Sequence, residues 1–333
     1  MIRRMALSLT LGAFFVTFQS SSAQTEAHEL LKLEATIPIA DVQGRIDHLA
    51  VDVSGQRLFV AALGNNSLEL IDLKAKKRLR SISGLEEPQG VTYIPGTNRV
   101  VVANGKDGSV RVFDTLSWQP VKTIPYGDDA DNLRYDSVTG HLWVGYGSGA
   151  LGEFDQEGTK LNDIQLGAHP ESFQLEKSGS RIFVNLPRSR KIVVVDRTSK
   201  TVVQSWGTGG PLANYPMALD EPNHRLFVVT RLPARLIVLD LDDGNRIASL
   251  PVVGDCDDVF LDQRRHRIYA IGGDGGISVF QQRDRDHYDE LGRVKTVNGA
   301  RTGFFSPEFD RLYLAVRKDG SQAAEIRVFA PAP

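Results

Sequence analysis

Residues 57–73 read RLFVAALGNNSLELIDL, and this stretch decides the fold. Arg57–Val60 and Leu68–Leu73 are rich in Leu, Val, Phe and Ile. Gly64–Ser67 between them supplies residues that tolerate the tight backbone of a turn. The stretch is therefore a β-hairpin. Its first strand is echoed from Arg99 (RVVVAN), His141 (HLWVGY), Arg181 (RIFVNL), Arg225 (RLFVVT), Arg267 (RIYAIG) and Arg311 (RLYLAV), so that seven copies stand about 42 residues apart. That is the period of a four-stranded propeller blade. The second strand recurs in step at Val110–Asp114, Leu151–Asp155, Lys191–Asp196, Arg235–Asp240, Gly276–Phe280 and Glu325–Phe329.

Each period holds two further strand-like pieces. One precedes the hairpin, as His48–Val53 and its counterparts at Gly90, Asn132, Ser172, Pro216, Asp258 and Thr302; the other follows it, as Arg78–Ser83. Their alternating apolar residues suit strands packed between two neighbouring sheets. The last period stops after its third strand, Glu325–Phe329, whereas Leu33–Ile39 precedes the first period without a partner. Each end lacks what the other has. The expectation is an all-β, seven-bladed β-propeller of four-stranded antiparallel blades, the last blade closed by the N-terminal strand, which leaves only short, protected edges.

The beginning of the chain reads differently. Met1-Ile2-Arg3-Arg4 is followed by an apolar run from Met5 to Phe18 and by Ser20-Ser21-Ser22-Ala23, the basic, apolar and small-residue order of a secretory signal. The run is shorter than the roughly 20 residues that span a bilayer, and no Cys follows to accept lipid. We expect cleavage after Ala23, residues 24–333 as a single propeller domain, and a periplasmic or secreted protein with no membrane span. Arg3-Arg4 is an ordinary basic start rather than a twin-arginine signal.

Without residues 1–23 the chain has 37 basic against 41 acidic residues, so nothing points to a nucleic-acid surface. The short basic runs Lys74–Arg80 and Arg188–Lys191 fall at strand ends or turns, as solvated side chains do. Cys256 is the sole cysteine and cannot form an internal disulfide. Flanked by Asp255 and Asp257, it is not a reactive thiolate.

The period, the RLFVA…NNSLELIDL hairpin and the opening DHLAVD resemble the YVTN-repeat or YncE-like seven-bladed propellers of bacterial envelopes, over about residues 30–330. The Trp-Asp ending and Gly-His dipeptide of WD40 blades are absent. The resemblance implies architecture and an exported protein; members range from lactone hydrolases and a lyase to proteins of no assigned activity, so it does not select a reaction.

Several local patterns are discounted. Gly147–Gly152 matches GxGxxG but sits between two strands and opens no helix. Leu239–Asn245 gathers carboxylates, yet its glycine falls one place early for an EF-hand. CxxCH, HExxH and GxSxG are missing. His141, His224 and His266 stand at the entrances to second strands, in turns.

Stacking the seven repeats and reading the residue before each innermost strand gives Asp47, Gln89, Asp131, Glu171, Tyr215, Asp257 and Arg301, which a propeller brings round one mouth of its channel. One step further in come His48, Gly90, Asn132, Ser172, Pro216, Asp258 and Thr302, and then an apolar set from Leu49 to Gly303. Channel water accounts for polarity there, and Arg301 can neutralise neighbouring Asp257 and Asp47. Four carboxylates with a single cation would still repel one another unless something positive arrives. Asp131, Asn132 and Glu171 offer oxygen ligands suited to Ca or Mg, with Asp128 and Asp129 in the same loop; His48 and His169 also belong to the mouth, in separate hydrogen-bonding roles.

The expected function is a binding module taking a small ligand or protein partner at the mouth, through Asp47, His48, Gln89, Asp131, Glu171, Tyr215, Asp257 and Arg301. The first alternative is a metal-assisted lactone or ester hydrolase or lyase. There a cation at Asp131, Asn132 and Glu171 polarises the carbonyl, and His48, Asp47 or Asp257 is the general base. The second is a scaffold that uses the blade rims.

Overall fold

The computed structural model describes residues 29–333; the expected signal, residues 1–23, lies outside them. The described residues form seven antiparallel sheets of four strands each, arranged in a ring. Blade one is Leu49–Asp52, Arg57–Ala62, Ser67–Asp72 and Lys77–Ser83, ordered in space as in sequence. Blades two to six repeat the pattern. Blade seven takes Thr302–Ser306, Arg311–Val316 and Glu325–Pro331 from the C-terminal end of the chain, and its outermost strand is Leu31–Pro38. Leu31 stands opposite Pro331 and Ile37 opposite Ile326, with a bulge between Leu33 and Ala35. At that bulge Glu34 meets the Arg311 side chain, Oε2 to Nε 2.7 Å.

Strand periodicity holds the ring together. In Arg57–Ala62, Leu58, Val60 and Ala62 enter a core shared with blade seven, while Phe59 and Ala61 face the core shared with blade two. The same alternation produces seven buried clusters, one per blade interface; six bind blades consecutive in sequence, and the seventh binds blade seven to blade one. Two short 3-10 turns, Leu63–Asn65 and Pro187–Ser189, are the helical pieces among the described residues, and none of these is long and apolar enough to cross a membrane.

Buried arginines add polar ties between blades. Arg225, 1 % exposed, donates to Asp240 at 2.7 Å, to the Arg285 carbonyl at 2.9 Å and to Asp286. Arg197 of blade four pairs with Asp136 of blade three and donates to the Glu176 carbonyl at 2.6 Å. Asp136 is 3 % exposed, so removing its cation leaves a buried charge uncompensated. Arg197→Ala should therefore cost about 3 kcal/mol in urea unfolding; a loss below about 0.5 kcal/mol would show that the pair contributes nothing net.

Candidate functional site

The seven residues that precede the innermost strands all line one cavity of about 240 Å³: Asp47, Gln89, Asp131, Glu171, Tyr215, Asp257 and Arg301. The backbone explains why they meet there. Asp47 N–H donates to the Ala61 carbonyl, Asp131 N–H to Gly145 and Glu171 N–H to Asn185, each at 2.8–3.0 Å. In blades one, three and four the innermost strands thus begin at one level, at Leu49, Leu133 and Phe173. Neighbouring blades also come close here: a Cβ on Gly90 would lie 2.1 Å from the Asp131 carbonyl oxygen, so only glycine fits.

The charge balance differs from the expectation of a single cation. Arg45, Arg188 and Arg231 join Arg301 in the lining. Arg231 lies 3.9 Å over the Tyr215 ring and pairs with Asp257. Arg301 Nε is 2.5 Å from Asp257 and its Nη1 3.1 Å from Asp255, and Arg45 is 3.1 Å from Asp47. Arg188 and Arg231, of blades four and five, were missed because they come from hairpin tips, and Arg45 because it lies two places before the ring. In strands, positions two apart share a face. Stepping back two from the ring gives Arg45, Glu87, Asp129, His169, Ala213, Asp255 and Gly299, and Arg45, Asp129, His169 and Asp255 all meet ring residues. That second register was the available signal.

With Asp47, Asp255 and Asp257 held by guanidinium groups, Asp129, Asp131 and Glu171 are left around one imidazole. His169 Nε2 lies 3.7 Å from Asp129 Oδ2 and 3.9 Å from Asp131 Oδ2. Its Nδ1 is 2.6 Å from the Gly147 carbonyl, which accepts only from a protonated Nδ1 and so turns Nε2 toward the acids. Ligand atoms of Asp131, His169 and Glu171 all lie within 4.8 Å of one another. Asn132 lines the same cavity, but its amide Nδ2 sits 3.0 Å from His48 Nε2. The donors that converge most closely are two carboxylates and a nitrogen from His169, and the Asn132 amide oxygen is buried beside them without a hydrogen-bond partner.

His48, Asp47 and Asp258 form a second group: His48 Nε2 is 3.8 Å from Asp47 and its Nδ1 3.7 Å from Asp258. Gln89 donates to Asp129 at 2.9 Å. Cys256 is buried and its thiol donates to the Val253 carbonyl at 3.1 Å. Burial, and then the Asp257 charge, push it well above the usual thiol range, so it is inert, as its neighbours suggested.

Crowding holds protons in the mouth. Burial, reinforced by the Asp131 charge, pushes Glu171 up to about 8, and burial, opposed by His48, pushes Asp258 up to about 7. His169 rises to about 9: burial pulls it down, but the nearby Asp131 carboxylate, the hydrogen bond to the Gly147 carbonyl and the Asp129 charge more than offset that. The two raised carboxyls keep their protons after the unfolded chain has released its own, so their linkage lowers stability as pH rises from about 4 to about 8. The raised His169 contributes stability that is complete below about 6.5 and is lost through about 9. All three have the same sign. With divalent cations removed, the melting temperature should fall between pH 5 and 9, and Glu171→Gln should flatten that slope; a melting temperature that rises over this range would contradict the assignment.

No family model matches the chain, and no curated protein does. Among solved structures it is similar to a chain of the mitotic checkpoint complex, at 12 % identity, with a TM-score of 0.77 and all of both chains covered. A likeness at that identity concerns the fold, and it agrees with seven blades closed in a ring.

Proposed function

We propose that the protein is a binding module, an exported propeller of the YVTN-repeat or YncE-like kind, whose channel mouth holds a divalent cation and, through it, a small polar ligand or a partner's loop. The observation that carries this reading is the approach of Asp131, His169 and Glu171 ligand atoms to within 4.8 Å in the cavity that all seven pre-strand residues line.

The donor set fits such an ion. Ligands about 2.1 Å from a tetrahedral centre stand about 3.4 Å apart, so shifts of about an ångström or less close the site. A neutral imidazole whose far nitrogen donates to a backbone carbonyl is the arrangement that fixes a metal-ligating histidine. A nitrogen donor favours zinc and its first-row neighbours over calcium or magnesium. The cavity, about 240 Å³, leaves space beside the ion for a ligand of a few heavy atoms. Gln89, Tyr215 and the exposed Arg188 supply donors around it.

Elemental analysis and melting with and without EDTA test the proposal. Zinc at 100 times its dissociation constant should stabilise by about 2.7 kcal/mol, and calcium or magnesium at the same concentration by much less. A protein that purifies without metal and melts identically with zinc and with EDTA is not a cation-dependent binder.

One observation favours a second reading, metal-assisted opening of a lactone or ester. His48 stands between Asp47 and Asp258 and lines the same cavity, where it would accept a proton from an attacking water. The cation would supply carbonyl polarisation. Turnover of a lactone panel that is lost in His48→Gln while zinc binding persists would establish this reading; no turnover with zinc-loaded protein would leave binding as the function.

A further inference from the structure

The channel has a second, larger chamber. It occupies about 720 Å³ and is walled by the bodies and far ends of the innermost strands of blades four to seven, with Leu219, Phe260 and Leu261 on its apolar side. His48 and Ser172 line both chambers. The larger chamber therefore opens on the face opposite the mouth, because the strands run from Ser172, Pro216 and Asp258 at one level to Lys177, Glu221 and Gln263 at the other. Its volume lies in the range of small-molecule sites.

One charged group in this wall has no counterpart. The residues three steps past the mouth ring are Ala50, Thr92, Arg134, Gln174, Ala218, Phe260 and Phe304, so Arg134 is the only charge at its level. Its guanidinium lies 5.5 Å over the Phe173 ring, and Nη1 donates to the Leu133 carbonyl at 2.8 Å. Among the described residues that is its one hydrogen bond, and no carboxylate lies within ion-pair distance. A guanidinium carries five donors and stays charged. Asp258 and Asp131 reach it only through their longer-range charges. The acid at the rim, Glu221, is taken: it accepts from Lys177 N–H at 2.8 Å and from Ser178 N–H and Oγ at 3.0 and 2.6 Å.

We propose that this chamber binds a small organic monocarboxylate with an apolar body, its carboxylate on the free donors of Arg134 and its body against Leu219, Phe260 and Leu261. A planar guanidinium matches a carboxylate through paired hydrogen bonds, and the apolar wall accepts a hydrocarbon chain or ring. A single negative charge suits the site, since Asp258 shares the chamber and a dianion would meet it. The proposal is independent of the cation at the mouth, and either can stand without the other.

Calorimetric titration of the full chain with octanoate, 1-octanol and octyl phosphate tests it. Octanoate should bind one to one and more tightly than either competitor. Arg134→Gln should weaken octanoate at least tenfold and leave 1-octanol within about twofold, and Arg134→Lys should restore part of the loss. Phe260→Ala should weaken octanoate and 1-octanol together. Zinc binding at the mouth, or an unchanged melting temperature, verifies that each variant is folded. Octanoate that fails to bind, that binds Arg134→Gln as well as the unaltered protein, or that binds no better than 1-octanol would overturn the proposal.

Discussion

Replacing both Leu31 and Ile37 by alanine should unfold the protein or bring it to the edge of unfolding at room temperature. Leu31 is 1 % exposed and belongs to the core between blades six and seven; Ile37 is fully buried in the core between blades seven and one. A single short strand thus anchors both interfaces of the closing blade. Each truncation costs about 2–5 kcal/mol through lost transfer free energy and the cavity left behind. The two residues are six apart on one strand, about 20 Å, so the losses add. A sum of about 4–10 kcal/mol compares with the whole stability of a typical domain, about 5–15 kcal/mol. The same exchange at the exposed Leu33, on the same strand, should cost less than about 1 kcal/mol. Urea unfolding followed by tryptophan fluorescence reads all three. If the double variant unfolds at the midpoint of the unaltered protein, the closing strand is dispensable.

The second large effect concerns the mouth. His169→Ala removes the one nitrogen donor of the Asp131, His169 and Glu171 group and should weaken zinc binding by about 100-fold or more, beyond the 10–100-fold that lost outer partners cost. Asp131→Asn keeps the shape and removes a charge, and should lose a similar factor. Asn132→Ala should leave zinc affinity within a few-fold, because it removes neither a charge nor a member of that three-residue group. Binding should also tighten as pH rises toward 9 and release protons, since Glu171 and His169 both hold one near neutrality and must give it up to act as ligands. Titration in two buffers of different ionisation enthalpy measures that release. Equal affinities for His169→Ala and the unaltered protein would remove the histidine from the site.

How far the sequence could be read follows from its periods. The 42-residue repeat and the two-residue alternation are set by backbone geometry, so they showed seven blades, the hairpins and the closure by residues near 33–39, which the pairing of Ile37 with Ile326 confirms. Strand ends were less legible. The innermost strand of blade five begins at Leu212 rather than near Pro216, across a bulge between Asn214 and Met217, and a bulge leaves no trace in an alternating pattern. The ring of seven polar residues was legible for the same reason as the blades. Its internal pairing was legible only where Arg301 neutralises Asp257: whether Arg231 reaches Asp257 from its hairpin tip, or the Asn132 amide nitrogen turns to His48, depends on side-chain directions that no period encodes. His169 was placed at the mouth by its position, yet its alliance with Asp131 depends on the Gly147 carbonyl, supplied by a turn 22 residues earlier. Arg134 escaped notice because one charged residue on a strand looks like a solvated side chain until the channel closes round it.

Anomalous scattering at the zinc edge, from crystals of the full chain grown with zinc, is the most direct measurement of the central claim. The account predicts one strong peak within bonding distance of Asp131, His169 Nε2 and Glu171 at the narrow mouth. A map without that peak, or with zinc only on exposed side chains such as His287, would contradict it.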